Sequence, residues 1–304
     1  MSVVVTGAAG FIGRHLVTAL ASAGHDVLGV DRRTLVAPAP GVCALRADLL
    51  DDDAADAVRD ADAVFHLAAR PGVRETGPDV EAARHRDNVL ATAAVLAAAR
   101  PGVPVVVTSS SSVYGGTTGR GCREDDRLHP RGGYATSKVE VERLCAQRRD
   151  AGGAVAVARP FTVAGEGQRP DMAIARWIDA VRRGDAVEVL GGPQRSRDVT
   201  DVRDVVRCLV ALADSGLGRT VNVGTGVGRT LADLLDAVCA AVGRPAEVRC
   251  VAAGDEEVAA TLADTSLCAR LLGWHPQTDL PALVRRQAAA LDAVAPLEAI
   301  AVPV

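Results

Sequence analysis

Short apolar runs alternate with longer amphipathic stretches through the first two thirds of the chain. Residues 3–5, 27–30, 63–67, 103–108 and 155–158 are rich in valine and alanine, which predicts parallel strands buried on both faces. Between them, residues 13–23, 80–100 and 134–151 read as helices. Each strand–helix–strand spacing suits a right-handed crossover, so the pattern predicts an α/β fold, a Rossmann-type doubly wound parallel sheet. Beyond Phe161 the rhythm breaks into loops containing Gly, Arg and Pro, with helices interspersed. The chain therefore divides into a sheet domain over residues 1–165 and a smaller substrate-binding region over 166–304. Within the latter, about 199–225, including Thr220–Val223, is expected to return to the sheet.

Composition narrows the class. The formal charge of −4 argues against nucleic acid or an anionic membrane surface as the main partner. Cys43, Cys122, Cys145, Cys208, Cys239, Cys250 and Cys268 are scattered and never form a C-x-x-C pair, so no disulfide framework or zinc site is expected and a reducing compartment fits. The six histidines form no metal-binding spacing. No apolar run approaches the length of about 18 residues that a membrane span needs, and no signal-peptide pattern opens the chain. These features predict a cytoplasmic protein without a metal.

The first strand runs directly into Thr6-Gly7-Ala8-Ala9-Gly10-Phe11-Ile12-Gly13 and then a helix. Gly7 permits a tight turn, Gly10 lets the backbone approach a pyrophosphate, and Gly13 lets the helix pack on the strand. Phe11, Ile12 and Gly13 open that helix, whose free N–H groups and dipole attract an anion. Asp31 ends the next strand 18 residues after Gly13, close to the position, about 20 residues on, of an acid that binds a ribose hydroxyl. Its charge favours NAD over NADP, while the neighbouring Arg32 and Arg33 soften that preference. Asp48 and Leu49, after a third strand, are candidates for the adenine edge, or else a strand-to-helix cap.

Tyr134 and Lys138 stand four residues apart on one helical face. A nearby ammonium stabilises phenolate, so Tyr134 is expected to act as a base well below the ordinary tyrosine pKa of about 10. Lys138 is the only lysine, all other members of the 34 basic residues being arginine, and Tyr134 is one of two tyrosines. A composition this poor in lysine retains one where a point charge differs from a guanidinium. Upstream, a strand ends in Ser109-Ser110-Ser111-Ser112-Val113-Tyr114-Gly115, which offers hydroxyls beside the same site; Tyr114 reads as structural.

Together these motifs resemble the extended short-chain dehydrogenase/reductases, in particular the nucleotide-sugar epimerase/dehydratase family. TGAAGFIG, HLAA at 66–69, Asn88, SSSSVYG, YATSK, RPF at 159–161, RPDMA at 169–173, SRD at 196–198 and NVGTG at 222–226 follow the family's order. The resemblance implies Ser110, Tyr134 and Lys138 as the catalytic group. It implies NAD held by the glycine turn, Asp31, Arg32, Asp48, Leu49, Leu67, Ala68, Ala69, Asn88, Tyr134, Lys138 and Pro160. Arg197 matches an arginine that holds the nucleotide of a nucleotide-sugar substrate. FTV at 161–163 followed by RPDMA looks most like uridine diphosphate-glucuronate 4-epimerases, with Ser111, Ser112, Thr162 and Arg169 facing the sugar. A homodimer is also implied, with Ala91, Ala94, Ala98, Val141 and Leu144 as contact candidates or, alternatively, residues buried on the chain's own sheet.

The chain departs from the family at two places. An arginine expected just before Gly254-Asp255 to grip the diphosphate is missing, and Arg249 is the candidate substitute. The family's V-Y-G is Val163-Ala164-Gly165 here, which is expected to open space near the sugar. The expected reaction is 4-epimerisation through a transient 4-keto sugar. Dehydration, decarboxylation or net reduction from the same intermediate, or a non-catalytic NAD(P)-binding regulator, are the alternatives. Ser111 and Ser112 stand where dehydratases carry an Asp-Glu pair, and Ser112 where decarboxylases tend to carry glutamate, which favours epimerisation.

Overall fold

The computed structural model describes residues 1–36, 40–72, 77–117, 119–254 and 256–298, with side chains described to residue 292. In chain order the first half contains β1 (Ser2–Thr6), α1 (Phe11–Ser22), β2 (Asp26–Asp31), β3 (Val42–Arg46), α2 (Asp52–Asp60), β4 (Ala63–His66), α3 (Pro78–Arg84), α4 (Ala91–Ala98), β5 (Val105–Thr108), α5 (Gly132–Asp150) and β6 (Val155–Pro160). Then come β7 (Val163–Ala164), α6 (Ala173–Arg183), β8 (Val187–Leu190), β9 (Ser196–Asp198), β10 (Thr200–Asp201), α7 (Val202–Ser215) and β11 (Thr220–Val223). The chain continues through β12 (Gly228–Thr230), α8 (Leu231–Val242), β13 (Val248–Val251), α9 (Ser266–Leu272) and α10 (Leu280–Glu298).

Seven strands form one parallel sheet in the order β11-β6-β5-β4-β1-β2-β3. The period of two along β1 sends Val3 and Val5 to one face and Val4 to the other. Val3 and Val5 meet Leu16 and Leu20 of α1 and Leu209 and Leu212 of α7. Val4 joins Val58 of α2, Val95 of α4 and Val141 of α5 on the opposite face. A third core gathers Trp177 and Ile178 of α6, Leu234 and Val238 of α8, and Leu283 and Val284 of α10 into a second lobe. Strand order reverses between β1 and β4, so the strand ends open a crevice there.

Two local differences from the sequence pattern have physical causes. β5 starts at Val105 rather than 103, because Pro104 has no N–H for the ladder and supplies only its carbonyl, to Val64. The helix expected over 80–100 is interrupted: between α3 and α4, residues His85–Leu90 form a π-helical turn. That wider turn points Asp87, Asn88 and Val89 inward together, which a regular helix does not do with three successive residues.

Below this turn lies a buried polar column. Thr92 Oγ1 donates its proton to Asn88 O at 2.5 Å, so His66 Nε2, at 2.9 Å, must be the donor to Thr92 Oγ1. His66 Nδ1 then accepts from Thr6 Oγ1 at 2.7 Å. Burial, aided by the charge of Lys138, pushes the His66 pKa down to about 3. The native state therefore refuses a proton that the unfolded chain takes up below its ordinary value. Stability from this residue is intact above pH about 6.5 and falls as pH drops toward 3, by about 1.4 kcal/mol per unit. His66→Gln should flatten the pH dependence of the unfolding free energy by that slope between pH 6 and 4.5. Chemical denaturation across the interval checks it; equal slopes in both proteins contradict the neutral-histidine assignment.

Candidate active site

The crevice is one continuous cavity of about 990 Å³ that runs from the glycine turn to the second lobe. Its first wall is backbone. Gly7 has φ +71° and donates to Val30 O at 2.9 Å, a turn that L side chains rarely adopt. A Cβ on Gly13 would lie 2.1 Å from Gly7 O, and one on Gly10 would lie 2.9 Å from the same oxygen. The helix therefore begins with its backbone against the turn, and Gly10, Phe11, Ile12 and Gly13 line the cavity at the α1 N-terminus. No side chain caps that end, which leaves its N–H groups for an anion.

Asp31 sits at the end of β2 on the same wall. Its Oδ2 accepts from Ala9 N at 3.0 Å and its Oδ1 from Arg33 N at 2.9 Å, so the acid is fixed to the glycine turn. Arg32 forks onto Asp87 with contacts of 3.1 and 2.9 Å, while Arg86 reaches both Asp87 at 2.9 Å and Asp48 at 2.7 Å. Burial raises the Asp48 carboxyl, but the Arg86 hydrogen bond and the Arg86 and Arg32 charges hold it below its ordinary value. Arg32 is thus committed to Asp87, while Arg33 stays on Asp31 itself, its Nε 3.5 Å from Oδ1. A dinucleotide fits this wall: a side-chain-free turn for its pyrophosphate, an acid for its ribose, and Leu49 for its adenine. Leu67, Ala68, Ala69 and Pro160 line the cavity further in.

Asn88 lies elsewhere than the sequence suggests. It is fully buried behind the wall, where Oδ1 accepts from Arg70 N at 2.6 Å and Nδ2 donates to Arg70 O at 3.3 Å and Ser137 Oγ at 2.9 Å. With its carboxamide consumed, it shapes the site from outside the cavity. Asp87, its neighbour, reaches the wall instead, and sequence reasoning missed it because the π turn breaks the helical spacing.

The second wall carries Ser110, Tyr134 and Lys138. Ser110 caps a 3₁₀ turn, Ser111–Tyr114, accepting from Ser112 N at 3.1 Å. Lys138 is buried, donates from Nζ to Thr108 O at 2.8 Å, and lies 5.9 Å from the Tyr134 ring centroid. Burial pushes its pKa down to about 8. The expectation that Tyr134 titrates well below its ordinary value is not met. Burial raises it; the Ser110 hydrogen bond and the charges of Arg169 and Arg84 only partly offset that. Lys138 directs one of its N–H donors to the Thr108 carbonyl. Tyr114 is buried and bridges Arg159 and Asn222 at 2.7 Å each, well away from any base role.

Ser111, Ser112, Thr162, Arg169 and Arg197 all reach the cavity. Ser112 Oγ is buried with no hydrogen-bond partner among the described residues, as is Thr108 Oγ1 on the same wall. Arg169 pairs with Asp171 at 2.8 Å, and Arg197 with Glu257 at 3.1 Å. Two expectations need correction. Ala164 is fully buried in the third core rather than facing the cavity, so its small size opens no room there. Arg249 is not on the wall either: it pairs with Glu188, and the wall carries Arg176 instead. Asp255 of the Gly254-Asp255 pair lies outside the described residues. Val141 and Ala91 are buried within the chain; Val141 packs beneath its own sheet. Ala94, Ala98 and Leu144 are half-buried.

Comparison with known proteins agrees with this geometry. The NAD dependent epimerase/dehydratase family matches residues 3–224. An uncharacterized UDP-glucose epimerase, YtcB, of Bacillus subtilis (strain 168) is 32% identical over 301 residues, covering 92% of this chain and 94% of its own. MoeE5, solved in complex with UDP-glucuronic acid and NAD, is similar with a TM-score of 0.88 at 38% identity, covering 97% of this chain and 100% of its own. UDP-glucuronic acid 4-epimerase from Bacillus cereus, solved with UDP-glucuronic acid and NAD, gives a TM-score of 0.90 at 28% identity over 97% and 100% of the two chains. With the family matched across most of its length, this chain belongs to the NAD dependent epimerase/dehydratase family.

Proposed function

We propose that the protein is an NAD-dependent nucleotide-sugar 4-epimerase that acts through a transient 4-keto sugar, with UDP-glucuronate as substrate. The observation that carries this reading is the convergence of Ser110, Tyr134 and Lys138 with the glycine turn on the lining of one cavity of about 990 Å³. NAD, when bound, supplies the acceptor and donor of hydride at C4. The protein's own groups manage the proton. Tyr134 takes it from the C4 hydroxyl with Ser110 sharing the hydrogen bond, and returns it after the keto sugar has turned over. Lys138 keeps a buried donor beside them.

For the sugar, Ser111, Ser112, Thr162 and Arg169 offer hydroxyls and one cation to a C5 carboxylate. The unsatisfied Ser112 hydroxyl supports a polar group there, because a buried hydroxyl without a partner is costly. No carboxylate follows Ser110 directly, which supports epimerisation over elimination. The likeness to the Bacillus cereus enzyme, solved with UDP-glucuronic acid, supports the choice of sugar, while MoeE5 is solved with UDP-glucuronic acid and with UDP-glucose alike. Residues 1–165 with about 199–225 form the cofactor-binding half in this reading, and the rest of 166–304 the substrate half. The protein works as a cytoplasmic homodimer through the outer faces of α4 and α5. The unbonded Cys208 and Cys268 sulfurs, 3.5 Å apart, suit a reducing compartment.

Incubation with UDP-glucuronate should yield its C4 epimer faster than UDP-glucose yields its own, as read by NMR of the products. Thr162→Val should slow the glucuronate reaction by about tenfold while sparing glucose, since a site built for a polar group loses most when a donor goes. Equal turnover of both sugars contradicts the carboxylate pocket. Tyr134→Phe should lose turnover by roughly a hundredfold or more while still binding NAD, the scale of a missing proton-transfer group. Lys138→Arg should be impaired as well, because a guanidinium does not fit an ammonium's buried position. Wild-type turnover in Tyr134→Phe overturns the assignment.

A further inference from the structure

The end of the cavity formed by the second lobe must receive the most highly charged part of a nucleotide sugar. Among the described residues from α6 onward, however, it is lined by Glu188, Glu256 and Glu257 against only Arg176 and Arg197. Both arginines are already engaged by acids: Arg197 Nη2 lies 3.1 Å from Glu257 Oε2, and Arg176 Nη2 lies 3.0 Å from Glu188 Oε2. A dianion that enters there meets guanidiniums whose charge is already shared with acids.

Glu188 has a second cation. β8 and β13 pair in parallel with Glu188 opposite Arg249, and Arg249 Nη2 donates to Glu188 Oε1. The two guanidiniums, Arg249 first, hold its carboxyl below the ordinary value. Arg176 and Glu188 are both partly open to solvent, with side-chain exposures of 41% and 33%. An exposed ion pair of this kind contributes little, whereas a guanidinium–phosphate fork is a strong, charge-assisted contact. Exchange of Glu188 for phosphate oxygens therefore favours the phosphate. Arg249 stays on Glu188 and leaves no bare carboxylate behind.

Resting on the nucleotide-sugar reading above, we infer that Arg176 is the second diphosphate-binding cation, parked on Glu188 until substrate arrives. It takes the place of the arginine missing before Gly254, and Arg249 acts only indirectly, as the counter-ion that lets Glu188 release Arg176. The two halves of the pair then have opposite effects. Removing Arg176 weakens diphosphate binding, while removing the charge of Glu188 strengthens it.

Calorimetry of UDP and UMP binding to the NAD-loaded protein tests this. Arg176→Met should weaken UDP binding by about tenfold, the loss of one charge-assisted phosphate contact, and UMP binding by much less. Glu188→Gln should tighten UDP by about threefold, because a weak competing pair is gone. Unchanged UDP affinity in Arg176→Met overturns the inference, as does a Glu188→Gln protein that binds UDP more weakly than wild type. Wild-type protein that binds no UDP overturns both the inference and the reading beneath it. Wild-type protein that binds UDP, with both variants behaving as stated, but epimerises no UDP-sugar leaves the arginine grip standing and removes only the epimerase reading.

Discussion

One run of hydrogen bonds ties the cofactor-facing half of the site to the catalytic helix. Thr6, at the end of β1, donates to His66 of β4; His66 donates to Thr92; and Thr92 donates to the Asn88 carbonyl in the π turn. Asn88 then donates to Ser137, whose hydroxyl donates to the carbonyl of Tyr134. Every link but the last lies between buried side chains or a buried residue's backbone, where a broken bond leaves an unsatisfied group that costs about 1–3 kcal/mol. The glycine turn begins one residue after Thr6, and Tyr134 begins the YATSK segment. The distance between the two cavity walls is therefore set through the interior. This explains why the helix between them needs a π turn: only the wider turn lets Asn88 face Ser137 while Asp87 faces Arg32.

Much of this was legible in the sequence because it rests on local constraints. Gly7, Gly10 and Gly13 occupy positions where a Cβ meets backbone, so the residue type reports the geometry directly. The alternation of apolar runs likewise reports a sheet covered on both faces. Lys138 stood out because the chain otherwise uses arginine. What escaped detection depended on residues brought together from distant segments. Nothing around Asn88 in the sequence indicates that its carboxamide is spent on Arg70 and Ser137. The spacing of Tyr134 and Lys138 could not reveal that burial raises the tyrosine or that the lysine donates to the Thr108 carbonyl. Arg176 lies on a helix that reads as ordinary amphipathic surface, and only the β8–β13 register brings Glu188 and Arg249 to it.

The site holds its arginines in ion pairs with acids. Arg32 and Arg86 are bound by Asp87 and Asp48, Arg197 by Glu257, and Arg176 by Glu188. Such pairing fixes long side chains in place before any ligand arrives, which lowers the ordering cost of binding. It also makes anion binding an exchange of partners, which favours ligands that offer planar, bidentate oxygens. Two buried hydroxyls without a hydrogen-bond partner among the described residues, Ser112 Oγ and Thr108 Oγ1, belong to residues that line the cavity. A substrate hydroxyl or carboxylate beside them would give these groups a partner.

The central claim is that the hydrogen on C4 leaves the sugar and returns to the same carbon while Tyr134 handles only the proton. UDP-glucuronate carrying deuterium at C4, turned over in ordinary water, measures this directly. The account predicts an epimer that keeps its deuterium at C4, with no label released to solvent and the original oxygen still attached. Loss of the deuterium to water, or entry of solvent oxygen at C4, would contradict it.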